Sequence, residues 1–232
     1  MSKDSNRYNN LIDILKGICI IFIIVTHSTW TDATRSRLLF PFWIEQAVPL
    51  FMIISGYVYA LSYQRHDIDS FTKAYSPANT VNKVIRYTFP FLITYLLELA
   101  YQIAIGQITI TGDNYLEWIF CFFTGGIGPG SYYYPIMIQF IFLYPIIYFI
   151  IKKNQNRGLI LCFALNAIYE LLQRAYGMDA DFYRLLIFRY LFVIAAGCWL
   201  ASKTHKLNFK VGFALFTVGI IYIVRRLCSV LK

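Results

Sequence analysis

The residues of this sequence whose types and spacing can do chemistry begin with Lys16 and His27, which share the run IDILKGICIIFIIVTHS over residues 12–28. On an α-helix their eleven-residue separation advances 1100°, three turns plus about 20°, and rises about 16 Å. Both side chains therefore leave one face, near opposite ends of the run. An ionisable group in an apolar helix is a functional candidate, because hydrocarbon penalises it unless it snorkels or finds a partner. The plainer readings are a snorkelling Lys16 paired with Asp13, three residues earlier, and a histidine capping the far end of the helix. Histidine titrates near physiological pH, which suits proton transfer.

Further polar residues recur at helical spacing. Thr94, Glu98 and Gln102 repeat every four residues, and Asn166, Glu170 and Gln173 follow i, i+4, i+7. Gln139 and Arg189 stand in other apolar runs. Such stripes face a bundle interior or a wet cavity, as catalytic groups or as interhelical hydrogen-bonding glue. Lys83 and Arg86, spaced i, i+3, can hold an anionic ligand or anchor a helix among headgroups. Glu45 is a further carboxylate that can orient a partner.

These positions need elements that cross a bilayer. Of 232 residues, 58% are hydrophobic, 19% aromatic and only 14% charged, and the mean hydropathy is +0.54. Soluble domains carry about a quarter charged residues. The apolar residues fall in runs near the about 20 residues a crossing requires. The expected fold class is all-α: a polytopic transmembrane helix bundle of about seven spans, over residues 11–30, 46–63, 85–105, 132–151, 159–175, 185–202 and 211–224. The piece YLEWIFCFFTGG, 115–126, is too short to span and is expected in the interface or dipping into the protein. The long apolar core and a weak small-residue pattern in STWTDATRS favour a retained first helix over a cleaved signal peptide.

The net charge of +9 is scattered over short loops, which speaks for topology and against nucleic acid. With the N-terminus cytoplasmic, thirteen basic residues fall on that side and seven on the other, and residues 106–132 contain no lysine or arginine. The exception is IVRRLCSVLK, which would exit on the outside. The five cysteines have no paired spacing, so neither a disulfide framework nor a metal site is expected. With no repeat and no low-complexity linker, residues 1–232 read as one membrane domain. GGIGPGS, 125–131, marks a break before a new helix. VPLFMIISGYVY, 48–59, carries Ser55 and Gly56 in its middle, which allow close helix approach.

In this order, IDILKGICIIFIIVTHS, VPLFMIISGY, NKVIRYTFPF and, less closely, GSYYYPIMIQFIFLYPII resemble the acyltransferase-3 family of bacterial integral membrane O-acyltransferases. The family places arginine, ten residues, then histidine; here Lys16 and His27 keep the spacing with lysine in the arginine position. A pair of arginines separated by two residues is matched by Lys83 and Arg86. Both departures keep charge and lose a guanidinium fork. Over roughly the last third of the chain the likeness is of hydropathy alone, and the family normally has further helices beyond it, so an abbreviated member is expected.

The resemblance implies transfer of an acyl group, usually acetyl, from cytoplasmic acyl-CoA to a hydroxyl of a cell-surface or envelope glycan, in the bacterial cytoplasmic membrane. Acetyl-CoA would be the co-substrate. Its anionic headgroup would dock on Lys16, Lys83 and Arg86, with the lipid bilayer and the glycan acceptor as the other partners. His27 would be the base for the acceptor hydroxyl, or would carry the acyl group covalently. Asp13 would pair with Lys16, and Glu45, Glu98 and Glu170 are possible supporting residues. Two alternatives stand beside this reading: a proton-coupled transporter whose relay is Glu98, Glu170, Arg189 and His27, and an inactive, truncated acyltransferase-like protein. The absence of paired broken helices or repeated halves speaks against the transporter.

Overall fold

The computed structural model describes residues 10–128 and 130–202, apart from the side chain of Asp181. The expected span over 211–224 lies outside the described residues.

The apolar runs fold as helices. They are α1 (Asn10–His27), α2 (Asp32–Arg37), α3 (Ala47–Arg65), α4 (Phe71–Ala74), α5 (Pro77–Ala104), α6 (Tyr115–Phe123), α7 (Tyr133–Lys153), α8 (Gln155–Tyr176), α9 (Ala180–Leu185) and α10 (Leu191–Ser202). Short 3-10 turns occupy Phe40–Phe42 and Ile187–Tyr190, and no strand occurs among the described residues. Local chemistry sets several boundaries. The Ser70 and Asn154 side chains accept hydrogen bonds from Lys73 N and Arg157 N at the starts of α4 and α8, and Pro77 opens α5. α8 stops at Gly177, whose φ of +59° suits the left-handed cap that glycine adopts without steric penalty.

Among the described residues, four stretches are long and apolar enough to cross a membrane: Asn10–His27, Phe40–Arg65, Tyr133–Lys153 and Gln155–Tyr176. α5, with 28 residues, is long enough but carries polar and charged positions along its length. The stretch read as a span over 185–202 is one apolar helix over Ile187–Ser202, a 3-10 turn running into α10, shorter than a crossing requires and separated from α9, which ends at Leu185. Gln139 of α7 explains the separation. Its Nε2 donates to Leu185 O at 2.6 Å and its Oε1 accepts from Ile187 N at 3.1 Å, so one side-chain amide satisfies backbone groups that a continuous helix would pair internally. Asn166 does similar work at the start of α10, its Oδ1 accepting from Phe192 N at 3.2 Å.

α3, α7 and α10 form the core, with α1 against α3, α5 against α7, and α8 against α7 and α10. Because lipid is as apolar as leucine, close packing rather than water exclusion holds such helices together. α3 and α10 meet through glycine: a Cβ at Gly56 would fall inside 3.0 Å of the Ile194 backbone, and one at Gly197 inside 3.0 Å of the Ile53 carbonyl. Tyr144 of α7 seals this seam by donating to Gly56 O at 2.9 Å. Phe140, Tyr144 and Tyr148, four residues apart on α7, meet Tyr59 and Tyr63 of α3 edge-on, with ring centroids 4.7–5.4 Å apart. α1 and α8 instead turn large aliphatic side chains outward, including Leu11, Ile24, Ile160 and Leu171, as lipid-facing helices do.

Candidate functional site

α1 is one uninterrupted helix from Asn10 to His27, so Lys16, about two turns in, and His27, its last residue, keep the helical separation the spacing requires. Lys16 Nζ lies 3.8 Å from Asp13 Oδ1, both side chains partly exposed. Such an open pair is weak and leaves the cation accessible.

At the far end His27 helps line a cavity of about 500 Å3. The opposite wall is the glycine-rich link between α6 and α7, where Thr124, Ser131 and Tyr132 join four glycines, and Arg184 and Leu185 from the end of α9 complete it. The link needs its glycines. Gly125, Gly126 and Gly130 have φ of +111°, +73° and +82°, and Gly130 faces His27 so closely that a Cβ there would stand 3.4 Å from Nε2. Gly128 lets the Glu98 carboxylate of α5 approach, since a Cβ there would lie 2.6 Å from both carboxylate oxygens. Glu98 therefore braces the far side of the loop that closes the His27 cavity. α6 is held on α5 by Tyr95, whose hydroxyl donates to Trp118 O at 2.6 Å, and by ring contacts of Phe91 and Tyr95 with Phe122.

The basic pair on α5 stands by the tyrosine ladder. Lys83 Nζ lies 5.0 Å from the Tyr59 ring centroid and 4.9 Å from that of Tyr63, a cation held over two ring faces. Lys83 precedes the span over 85–105, and burial lowers its pKa from the ordinary lysine value. Arg86 is exposed. The described contacts do not bring Lys16 to this pair, since α1 packs on α3 and α5 on α7. Beside Lys83 the Tyr59 hydroxyl donates to Tyr87 at 3.5 Å, and the buried Tyr133 hydroxyl lies near those of Tyr87 and Ser55.

The remaining carboxylates are placed elsewhere. Glu45 Oε1 accepts from Arg35 Nη2 at 2.5 Å, an ion pair that ties α2 to the start of α3. Glu170 Oε1 accepts from the Tyr183 hydroxyl at 2.6 Å and lines a separate cavity of about 570 Å3 with Asn166, Arg174 and Arg189. The Arg189 guanidinium lies 4.8 and 4.9 Å from the ring centroids of Tyr183 and Tyr190. His27 and the Glu170–Arg189 group thus occupy different cavities, and Glu98 sits behind the glycine link, so the four residues expected of a proton relay are not joined. No cluster of metal-ligating side chains occurs among the described residues.

Two parts of the His27 site escape a sequence reading. Arg184 reads as one of several loop cations, and the glycine link reads as a helix break. Only the return of α9 toward the end of α1 puts them in one cavity.

The helices and this site define a multi-helix membrane protein with a histidine-bearing cavity at one end of its first helix. A family model described as an acyltransferase domain, Acyl_transf_3, matches residues 9–225, and the chain belongs to the acyltransferase-3 family. A search of curated proteins and a search of solved structures each found no match.

Proposed function

We propose that this acyltransferase is a membrane O-acyltransferase of the bacterial cytoplasmic membrane, N-terminus inside. It transfers an acyl group, acetyl in the ordinary case of the family, from cytoplasmic acyl-CoA to a hydroxyl of an envelope or cell-surface glycan.

The observation that carries this reading is the position of His27, whose Nε2 faces an open cavity about 16 Å along α1 from Lys16.

 

The acceptor hydroxyl approaches through that cavity and gives its proton to neutral Nε2 as its oxygen bonds to the thioester carbonyl carbon. The carbon–sulfur bond then breaks, and the thiolate of CoA takes the proton back from the imidazolium, so an ester and a free thiol replace an alcohol and a thioester. Lys83, Arg86 and Lys16 supply cations for the donor's phosphates, and Tyr59, Tyr87 and Tyr133 offer hydroxyls for the amide-rich pantetheine arm. Arg86 is the exposed member of its pair and the better first contact for an anion, while Lys83 is engaged with two rings. Asp13 tempers Lys16, and Glu98 supports the site through the Gly128 contact rather than by touching His27.

The test is His27→Ala, made at matched protein level and assayed for acetyl-CoA-dependent glycan acetylation. Loss of a general base lowers the rate by about 10²–10⁴. Activity retained at the wild-type level would remove His27 from the chemistry.

A further inference from the structure

A further cavity, of about 590 Å3, opens at the end of α7 opposite the His27 cavity, where α3 also ends and α8 begins. Its volume falls in the range of small-molecule sites, about 300–1,000 Å3. None of the residues assigned above to the acceptor or the proton transfer lines it. Tyr63 of α3 and Tyr148 of α7 do, with only 2% and 5% of their surface exposed and their rings edge-on at 5.0 Å. Neither hydroxyl has a hydrogen-bond partner among the described residues, and neither is sealed from solvent as the Tyr133 hydroxyl is. A phenol that buries its ring and leaves its hydroxyl unpaired within the protein takes its partner from the cavity, because an unmet hydrogen bond is costly.

The same lining carries acceptors and a cation. Gln64 and Gln155 spend their amide nitrogens on the last turn of α10, Nε2 donating to Ala201 O at 3.4 Å and to Ser202 O at 3.2 Å, which leaves each Oε1 to accept. Asp69 is paired with Lys73 at 3.0 Å, whereas the Asp67 carboxylate has no ion pair among the described residues. Lys152 adds an ammonium, 5.9 Å from the Tyr148 ring centroid. An exposed lysine at a bilayer surface has water and headgroups to meet, so Lys152 alone identifies nothing. Taken with the hydroxyls and the carboxylate it does, because a ligand that is only an anion would meet Asp67 and two amide oxygens. An aminopurine nucleotide answers every group: its exocyclic amine donates to carboxylate or amide oxygens, its ring nitrogens accept from hydroxyls, and its phosphate meets the ammonium. Tyr63 also joins this cavity to the donor's cations, since Lys83 Nζ stands 4.9 Å from its ring centroid.

We propose that this cavity is the nucleotide subsite of the acyl donor. It takes the adenosine bisphosphate end of acyl-CoA, with the Tyr63 and Tyr148 hydroxyls on the base, Lys152 on the ribose phosphate and Lys83 on the pyrophosphate that leads toward the bundle. This rests on the acyltransfer reading above and adds the residues that select the donor's nucleotide.

The experiment uses the full chain in phosphatidylcholine nanodiscs and reads binding by calorimetry. Adenosine bisphosphate is expected to bind and to compete with acetyl-CoA. Its inosine counterpart, in which a carbonyl replaces the amine, should bind roughly 10-fold more weakly. Tyr63→Phe and Tyr148→Phe keep the rings and should each weaken acetyl-CoA binding roughly 3- to 10-fold, the loss of one neutral hydrogen bond. Lys152→Gln should weaken it roughly 10- to 100-fold, the loss of a charged one, and should leave dephospho-CoA, which lacks the ribose phosphate, nearly unaffected. A merely structural role for Lys152 would weaken both ligands alike. Acetylated phosphopantetheine, the donor without its nucleotide, should bind all three variants as it binds the wild type. No binding of adenosine bisphosphate, equal binding of the inosine counterpart, or unchanged acetyl-CoA affinity in the tyrosine variants overturns the assignment. So does nucleotide binding that vanishes in phosphatidylglycerol nanodiscs at a salt concentration that screens the bilayer charge, which would give the cavity to a lipid headgroup. Nucleotide binding that depends on these residues, with no acyl transfer from acetyl-CoA by the wild type, would instead overturn the acyltransfer reading and leave the nucleotide site standing.

Discussion

Gly130→Ala adds one methyl group where His27 meets its cavity. The added Cβ stands 3.4 Å from His27 Nε2 and 4.0 Å from Cδ2, which is ordinary contact and produces no clash. An acceptor oxygen, however, must come within about 2.6–3.2 Å of Nε2 to lose its proton. The methyl occupies the approach that oxygen would use, so the general-base contribution of about 10²–10⁴ is at risk, and a rate loss of about a hundred-fold is expected. The substitution also places a side chain at φ +82°, which costs about 1–2 kcal/mol and lowers Tm by about 2–8 °C. Gly106→Ala separates the two effects, because Gly106 has φ +72° and nothing within 4 Å of its Cβ direction. Both variants would be compared for Tm in detergent and for glycan acetylation at matched protein level. Similar Tm losses with activity lost in Gly130→Ala alone are expected. Equal activities in the two variants would refute the argument that this face of His27 receives the acceptor.

Two predictions concern the frame that holds the site. Gly56→Ala forces α3 and α10 apart at the Ile194 carbonyl, and overpacking of this kind costs about 1–3 kcal/mol or more, read as a lower Tm in detergent; an unchanged Tm would contradict the close approach. Gln139→Leu leaves Leu185 O and Ile187 N without the amide that joins them, at about 1–3 kcal/mol, and faster backbone exchange over residues 185–190 is the expected signature. Because Leu185 and Arg184 line the His27 cavity, the same variant should weaken acceptor binding more than donor binding.

The helices of this protein are largely visible in its sequence because membrane burial writes them in composition. An apolar run long enough to cross hydrocarbon must satisfy its backbone internally, and α1, α3, α7 and α8 follow from that rule. The boundary between α9 and the helix over Ile187–Ser202 was not visible, because apolar residues flank it on both sides and what sets it is an amide 46 residues earlier in the chain. The polar stripes show a similar split. Gln139 and Asn166 prove to be hydrogen-bonding glue at helix ends, Glu170 binds Tyr183, and Glu98 braces a loop. Periodicity identifies residues that need a partner but not the partner itself.

The sequence by itself determined that the chain is a set of apolar helices, that Lys16 and His27 share one face of the first, and that Ser55 and Gly56 permit close packing. Each follows from rules that act within one segment: the length of a crossing, the 3.6-residue turn and the size of a side chain. Tertiary structure alone decided that His27 opens into a cavity walled by the glycine link and Arg184, that Glu170 and Arg189 occupy another, and that the cation pair on α5 stands over tyrosines of α3. The first of these joins residues more than a hundred positions apart, His27 and Arg184, and the others join residues on different helices. They depend on where whole helices return to one another, and no local pattern encodes that.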